Sequence, residues 1–363
     1  MNATPDAPDA PDAPDASCDD SPVLLRREGR SAHLVLNRPR AINALNHAMV
    51  RIMADALDTW ERDGSVATVV LTGAGERGLC AGGDIRSIHD DVRAGRAAAS
   101  AAFWRDEYRL NARIARFPKP YVAVMDGIVM GGGVGVSAHG GVRVVTERSR
   151  VAMPETGIGF VPDVGGTYLL TRTPGELGTH LALTGAPVGA GDALLCGLAD
   201  HFVPSERLRE FTAALAGTEA ADAVRQYATE APAGELAEHR EWIDHCYAAD
   251  SVEEIVDRLH AWGGRHAKEA AETILAKSPT SLKVTLAALR RARELPSLEA
   301  VLEQEYRVSL AALGSPDLPE GIRAQVVDKD RRPRWSPAEL AQVTEAAVGR
   351  HFEPVDGESL GLL

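Results

Sequence analysis

Met130-Gly131-Gly132-Gly133-Val134-Gly135 is the most informative stretch of this 363-residue sequence, and it follows the short apolar run from Tyr121 to Met125. Its glycines let the backbone turn tightly and bring bare N–H groups against a ligand. If the turn leads into a helix, the first N–H groups of that helix lack partners and favour a negative charge. The alternative is a turn that packs backbone against backbone, and the turn alone favours neither interpretation.

A second glycine loop, Leu79-Cys80-Ala81-Gly82-Gly83-Asp84-Ile85-Arg86, follows the apolar run from Ala67 to Thr72. Two such loops can each supply one N–H group to an oxyanion hole, in which a single donor is worth about 3 kcal/mol. Whether the two loops meet in space is left open by the sequence.

A competing interpretation arises because Gly73, Gly75 and Gly78 fit the GxGxxG pattern of dinucleotide sites. In such a site the third glycine opens a helix. Here Gly78 leads into more loop, which disfavours nicotinamide or flavin binding.

The third informative stretch runs from Met153 to Gly166 and reads MPETGIGFVPDVGG. Its two acids, Glu155 and Asp163, stand in apolar, glycine-rich surroundings that raise a carboxyl pKa by desolvation, as a general acid or base near neutral pH requires. A salt-bridged Glu155 and a helix-capping Asp163 are the structural alternative. There is no GxSxG nucleophile elbow.

Apolar runs and helical periodicity together predict an α/β core. The predicted strands are His33 to Asn37, Ala67 to Thr72, Tyr121 to Met125 and Val142 to Thr146. The predicted helices are Asn46 to Arg62, Asp90 to Ala115 and a last one from Pro337 to Val348. Strand signals fade after about residue 206, so residues 207–363 are predicted to form a mostly helical C-terminal region.

The N-terminal segment 1–21 consists largely of acidic Pro-Asp-Ala triplets and is predicted to be disordered. It resembles neither an export signal nor a transit peptide, and no apolar run suits a membrane span, so a cytoplasmic location is expected. Six acids and no base lie in residues 1–20, and the rest of the chain still has a net charge of -7 out of the total of -13, which argues against nucleic acid as a partner. Scattered cysteines and histidines predict no metal site.

Taken together, four motifs in this order resemble the crotonase (enoyl-CoA hydratase/isomerase) superfamily. They are Asn37 to Leu45 (NRPRAINAL), the loop from Cys80 to Arg86, the turn from Met130 to Gly133, and the run from Met153 to Asp163. The resemblance implies a crotonase-like spiral of ββα units over residues 22–206. It also implies CoA bound across the loops as part of the substrate, with no separate cofactor, and a homo-oligomer, often a trimer.

The resemblance also implies roles for individual residues. Gly83 and Gly132 match the two oxyanion-hole positions, and Glu155 matches an acid common in hydratases. Four residues match positions that touch CoA and pantetheine: Arg40, Asp84, Ile85 and Arg86. The CoA phosphates favour the two arginines.

Two positions separate this chain from hydratases. Hydration needs two carboxylates flanking a water, but Gly135 stands where hydratases carry their second glutamate, and Asp163 stands where they have a small residue. The subfamily that hydrolyses 3-hydroxyisobutyryl-CoA shows this exchange. Further matches to it extend over most of the chain after residue 22, including Ser278 to Lys283, Glu305 to Arg307, and Glu107, an acid expected to contact substrate. A solvated helix face is the alternative for Glu107.

The resulting hypothesis is an acyl-CoA thioester hydrolase acting on a short β-hydroxyacyl-CoA, with 3-hydroxyisobutyryl-CoA of valine breakdown as the expected substrate. Glu155 would act as nucleophile or as base for water, and Asp163 would orient the substrate hydroxyl or shuttle a proton. One alternative is an enoyl-CoA hydratase or isomerase that works with Glu155 and Asp163. Another is a non-catalytic CoA-binding or RNA-binding protein.

Overall fold

The computed structural model describes residues 20–362. The predicted disordered segment 1–21 therefore lies, apart from its last two residues, outside the described residues and stays a prediction. Within residues 20–362, no helix is both long and apolar enough to cross a membrane.

The strands of the described chain are short, and most lie in its first half. They are β1 (Val23–Glu28), β2 (Ser31–Leu36), β3 (Thr68–Gly73), β4 (Tyr121–Met125), β5 (Ile128–Met130), β6 (Val142–Val145), β7 (Arg150–Ala152) and β8 (His201–Phe202). All four predicted strands are present. β1 was not predicted, because four of its six residues are exposed and its apolar residues do not alternate.

Helices follow the strands in the first half and dominate the second. The earlier ones are α1 (His47–Arg62), α2 (Ile85–Arg93), α3 (Ala97–Ala115), α4 (Gly132–Ser137), α5 (Gly166–Leu170), α6 (Leu177–Thr184), α7 (Ala190–Leu195), α8 (Leu208–Ala214) and α9 (Ala220–Tyr227). The later ones are α10 (Leu236–Tyr247), α11 (Val252–Trp262), α12 (Arg265–Leu275), α13 (Pro279–Ala292), α14 (Leu298–Leu313), α15 (Asp317–Ile322) and α16 (Glu345–Arg350).

Two predicted helices differ from the structure. The pattern from Asp90 to Ala115 is divided between α2 and α3, and Gly95 with φ +70° lies in the break between them. A left-handed residue of this kind interrupts a helix and suits glycine. The last predicted helix, Pro337 to Val348, is instead a 3-10 turn at Leu340–Gln342 followed by α16.

The strands form two ladders that run through successive ββα units. The larger sheet has the order β1-β2-β3-β4-β6-β8, in which only β1 and β2 are antiparallel. In the smaller ladder β5 pairs with β7 in parallel, and single bridges add Cys80 beside β5 and Val188 beside β7. The successive units β4-β5-α4 and β6-β7-α5 each give one strand to each ladder, which is the predicted spiral.

Strand β4 shows how both faces of the larger sheet are covered. Side chains alternate between faces along a strand. Tyr121, Ala123 and Met125 belong to the main hydrophobic core, while Val122 and Val124 pack in a second cluster that includes residues of α8 and α9. Burial on both faces explains why this strand reads as an unbroken apolar run.

The helices of the C-terminal region pack directly on the crotonase-like part. Helix α14 lies against α3, where the rings of Tyr306 and Tyr108 meet edge to face at 6.1 Å. The main hydrophobic core includes residues from both predicted parts. The domain boundary near residue 206 stays a prediction.

Candidate active site

A cavity of about 790 Å³ brings together all nine residues predicted for catalysis and CoA binding. A volume of this size is typical of small-molecule sites, which span about 300–1,000 Å³. The cavity wall also contains four residues of the C-terminal region that the sequence did not indicate: Lys277, Leu318, Gln325 and Val326. It contains Lys329 as well, which lies in a further subfamily match, Asp328-Lys329-Asp330. The helical region therefore helps to enclose the site.

The two glycine loops meet at this cavity. A Cβ atom placed on Gly132 would lie 3.3 Å from the backbone nitrogen of Gly83. Hydrogen bonds from Leu45 N–H to Gly82 O and from Asp84 N–H to Leu45 O hold the second loop in place. Within residues 20–362, the N–H groups of Gly83 and Gly132 donate to no protein atom. Both are therefore available to an oxyanion, as a pair of oxyanion-hole donors must be.

Two acidic side chains lie against the glycine turn that carries one of these N–H groups. A Cβ on Gly132 would be 2.6 Å from Oε1 of Glu107, and a Cβ on Gly131 would be 2.7 Å from Oε1 of Glu155. Gly131 also has φ +48°, a conformation that L side chains rarely adopt. The turn thus needs glycine both for its backbone conformation and for the space that the two carboxyls occupy.

Glu155 is the acid beside Gly131. It begins a 3-10 turn, Glu155–Ile158, directly after β7, and only 6 % of it is exposed. Its Oε2 atom is buried and has no hydrogen-bond partner among the described residues. Burial, reinforced by the charge of Asp163, raises the pKa of Glu155 well above its usual value. The salt bridge considered as an alternative for this residue is absent from the described part of the chain.

Asp163 is also buried, and Tyr108 on α3 contacts it. The Tyr108 hydroxyl donates to Oδ2 of Asp163 over 2.6 Å. Burial raises the pKa of Asp163 to about 7, although the hydrogen bond from Tyr108 acts in the opposite direction. This carboxyl can gain or lose a proton near neutral pH.

Glu107 is buried, so the solvated helix face considered for it is wrong. It is 2 % exposed, lies on the inward side of α3, and its Oε1 atom has no hydrogen-bond partner in the described chain. Burial and the charge of Asp163 raise the pKa of Glu107 well above the usual range. The neutral acid is therefore favoured, and it can donate a hydrogen bond to substrate.

Glu305 of α14 holds the loop that follows Asp163. Its Oε2 accepts from Gly165 N–H over 2.6 Å, and its Oε1 accepts from Thr167 N–H and the Thr167 hydroxyl. Burial raises the pKa of Glu305 to about 8, although these hydrogen bonds act to lower it. Glu305 was noticed in the sequence only as part of the matching Glu305 to Arg307 motif. Nothing there indicated that it binds this loop.

The residues predicted to bind CoA line the cavity, but two of them have protein partners. Asp84 accepts from Nη2 of Arg38 over 2.8 Å, so its charge is compensated. Arg86 donates to the backbone oxygen of Val326 over 2.9 Å. Arg40 and Ile85 also line the cavity. Three further cations line this cavity and were not predicted to bind CoA: Arg77, Lys277 and Lys329.

Position 135 has no room for the second glutamate of a hydratase. A Cβ on Gly135 would lie 2.6 Å from Cβ of Val164 and 2.9 Å from Nδ2 of Asn111. Both neighbours are fully buried. Packing therefore couples the two positions that differ from hydratases, Gly135 and Asp163. Val164, the residue after Asp163, occupies the space that a side chain at position 135 would need.

We expect Gly135→Ala to lower the free energy of unfolding by about 1–3 kcal/mol, because the added methyl group overpacks this contact. Thermal unfolding measures the change. Gly349→Ala is the matched control, since that helical glycine has no atom within 4 Å of its Cβ position. Alanine favours helix more than glycine does, so the control should be as stable as the parent or more so. A Gly135→Ala protein of unchanged stability would contradict the packing argument.

Comparison with known proteins gives this arrangement a family. The family model described as enoyl-CoA hydratase/isomerase matches residues 31–352. A zebrafish (Danio rerio) protein named 3-hydroxyisobutyryl-CoA hydrolase, mitochondrial, is 42 % identical over 94 % of this chain and 92 % of its own length. The human protein of the same name is 41 % identical over 93 % of this chain and 90 % of its own length.

Solved structures agree on the fold. A structure titled carnitinyl-CoA dehydratase from Mycobacterium thermoresistibile is 56 % identical, covers 93 % of this chain and 98 % of its own, and superposes with a TM-score of 0.91. An enoyl-CoA hydratase from Rhodobacter sphaeroides is 42 % identical, covers 94 % of this chain and 99 % of its own, and superposes with a TM-score of 0.89. The crotonase-like fold predicted from the motifs is confirmed, and this chain belongs to the enoyl-CoA hydratase/isomerase family.

Proposed function

We propose that this chain hydrolyses 3-hydroxyisobutyryl-CoA, the thioester of a short β-hydroxy acid, to 3-hydroxyisobutyrate and CoA, as a step of valine breakdown. The names of the curated animal relatives support this activity. The observation that carries the proposal is the pairing of Glu155 with Asp163 beside two free glycine N–H groups, together with a closed position 135. That set suits attack on a thioester and lacks the second glutamate of a hydratase.

In the first step the thioester oxygen accepts from the N–H groups of Gly83 and Gly132, which stabilise its developing negative charge. Glu155 lies directly against the glycine turn, so we assign it as the nucleophile. Its raised pKa favours the neutral acid, so the Asp163 carboxylate, whose pKa is about 7, first takes its proton. An oxygen of Glu155 bonds to the thioester carbon, the carbon–sulfur bond breaks, and CoA leaves as a thiolate. Asp163 then gives this proton to the sulfur and is left as the carboxylate that acts in the second step.

In the second step water hydrolyses the mixed anhydride on Glu155. Asp163, whose pKa is raised to about 7, takes a proton from the water. The resulting hydroxide adds to the anhydride, and Glu155 is released as a carboxylate. Neutral Glu107 is assigned to the substrate hydroxyl, to which it can donate. One water is consumed, and the products are the free acid and CoA.

The second candidate function is hydration or dehydration, because the two solved structures carry the titles of a dehydratase and a hydratase. Adding or removing water across a carbon–carbon bond in this family uses two glutamates flanking that water. This chain offers Glu155 in one of those positions, while Val164 and Asn111 fill the other. The site geometry therefore favours hydrolysis.

The deciding experiment is thiol release, followed with a chromogenic disulfide, from 3-hydroxyisobutyryl-CoA and 3-hydroxypropionyl-CoA. Crotonyl-CoA hydration and carnitinyl-CoA dehydration are followed by absorbance in parallel. We expect rapid CoA release from the hydroxyacyl thioesters and little reaction with the other two. Hydration or dehydration without thiol release would overturn the proposal in favour of the second candidate.

The remaining expectations belong to the same proposal. We propose that CoA enters only as part of the substrate and that no metal or redox cofactor takes part. A cytoplasmic location stays a prediction from the composition of the N-terminal segment, whereas the animal relatives are named as mitochondrial. A homo-oligomer and the absence of a nucleic-acid partner also stay predictions.

A further inference from the structure

We infer that Tyr108, which is itself held by Ser309 of α14, is a positioning residue that keeps Asp163 ionised and fixed in one orientation. The inference rests on the proposed hydrolysis, in which ionised Asp163 takes a proton from Glu155 before CoA leaves and later a proton from water. Neither Tyr108 nor Ser309 lines the cavity. Their effect on the reaction must therefore pass through Asp163.

The three side chains form a continuous chain of hydrogen bonds in the interior. The Tyr108 hydroxyl lies 2.6 Å from Oδ2 of Asp163 and 2.7 Å from Oγ of Ser309. Tyr108 and Ser309 are fully buried, and Asp163 is 5 % exposed. A tyrosine hydroxyl has a single proton to donate. When Tyr108 donates to the Asp163 carboxylate, Ser309 must donate to Tyr108. All the hydrogen bonds of the series then point toward Asp163.

The surroundings of Asp163 make this donor necessary. Three other buried acids face it: Glu107 from α3, Glu155 from the 3-10 turn after β7, and Glu305 from α14. Burial and like charge both disfavour a carboxylate. Among the described residues, Tyr108 is the side chain that donates to the Asp163 carboxyl. The hydrogen bond stabilises the ionised form, so it lowers the pKa of Asp163 relative to the same site without it.

Helix α14 contributes twice to this arrangement. Ser309 supports Tyr108, and Glu305, one turn earlier on the same helix, binds the backbone N–H groups of Gly165 and Thr167 just after Asp163. The first contact sets the hydrogen bonding of the carboxyl, and the second sets the course of its loop. A helix of the C-terminal region thus controls an acid of the crotonase-like part.

The test is the pH profile of kcat/KM for thiol release by the full-length protein, compared with Tyr108→Phe and Ser309→Ala. Activity that needs ionised Asp163 rises with pH through the pKa of that group. Loss of a charge-assisted hydrogen bond should move the acid limb of Tyr108→Phe upward by about one to two pH units, with activity recovering at higher pH. Ser309→Ala should move it in the same direction by less.

Tyr306→Phe is the matched control, because this neighbouring buried tyrosine donates to Glu358 over 2.9 Å. Its acid limb should coincide with that of the parent protein. A Tyr108→Phe or Ser309→Ala enzyme with lower activity at every pH and an unmoved limb would overturn the inference. If Tyr108→Phe does not fold, Ser309→Ala decides. Failure of the proposed function is distinct, since the parent protein would then release no thiol.

Discussion

Replacing Glu155 with Gln is expected to lower the turnover of thioester hydrolysis by at least about 1,000-fold, because the amide can neither attack the thioester nor hold a negative charge. Glutamine has nearly the same size, so the contact with Gly131 is kept and the fold should be unchanged. Steady-state thiol release measures the loss, and circular dichroism checks the fold. Turnover within about tenfold of the parent would remove Glu155 from the chemistry.

Glu303→Gln is the matched control for this change. Glu303 is buried to 4 % exposure, much like Glu155, but it binds Ser359 and the backbone of Leu360 and Gly361 and does not line the cavity. Its replacement should leave turnover near that of the parent.

Hydroxylamine added during turnover of the parent protein tests whether an anhydride forms on Glu155. Modification of the Glu155 peptide would support the anhydride, because hydroxylamine attacks an activated carboxyl group and not a free carboxylate.

Gly132→Ala is expected to lower kcat by about 100- to 1,000-fold, which is the usual effect of losing one oxyanion-hole donor. The added methyl group would lie 2.6 Å from Oε1 of Glu107, 3.2 Å from Cδ1 of Leu45 and 3.3 Å from N of Gly83. It would therefore occupy the space between the two N–H groups. KM should change far less than kcat, because CoA contacts elsewhere in the cavity remain.

Gly141→Ala is the control for this variant. Gly141 follows α4 and has no atom within 4 Å of its Cβ position. Its activity should match that of the parent protein. A Gly132→Ala enzyme that keeps full kcat would show that the thioester oxygen does not bind between the two loops.

The parts of the site that sequence predicts are those carried by local pattern. The glycine turn at 131–133 and the loop at 82–83 were recognisable because clustered glycines mark tight turns and because both stretches match family motifs, although the turn alone suited backbone packing equally well. Their convergence followed only from the family resemblance, since it depends on long-range pairing of Cys80 with β5, in which Cys80 N–H donates to Ile128 O and Met130 N–H donates to Cys80 O. The closure of position 135 likewise depends on Val164 and Asn111, which come from two different segments.

The burial of acids was harder to predict than their presence. Glu107 lies among charged residues in Asp106-Glu107-Tyr108, so its sequence suited an exposed helix face equally well. Only packing of α3 between α1 and α14 turns it inward. Tyr108 was adjacent to a predicted residue and could have been suspected on that ground. Ser309 gave no signal, because a serine in the middle of a helix is ordinary.

The contacts of α14 have a consequence for synthesis of the protein. Glu305 binds Gly165 across 140 residues of sequence, and Ser309 binds Tyr108 across 201. Chains emerge from the ribosome N-terminal end first, at roughly 5–20 residues per second. A nascent chain that ends before α14 already contains both glycine loops, Tyr108 and the three buried acids of the cavity, yet lacks Glu305 and Ser309, which hold the loop after Asp163 and the Tyr108 hydroxyl. The enzyme should therefore become active only after the last third of the chain has folded onto the first.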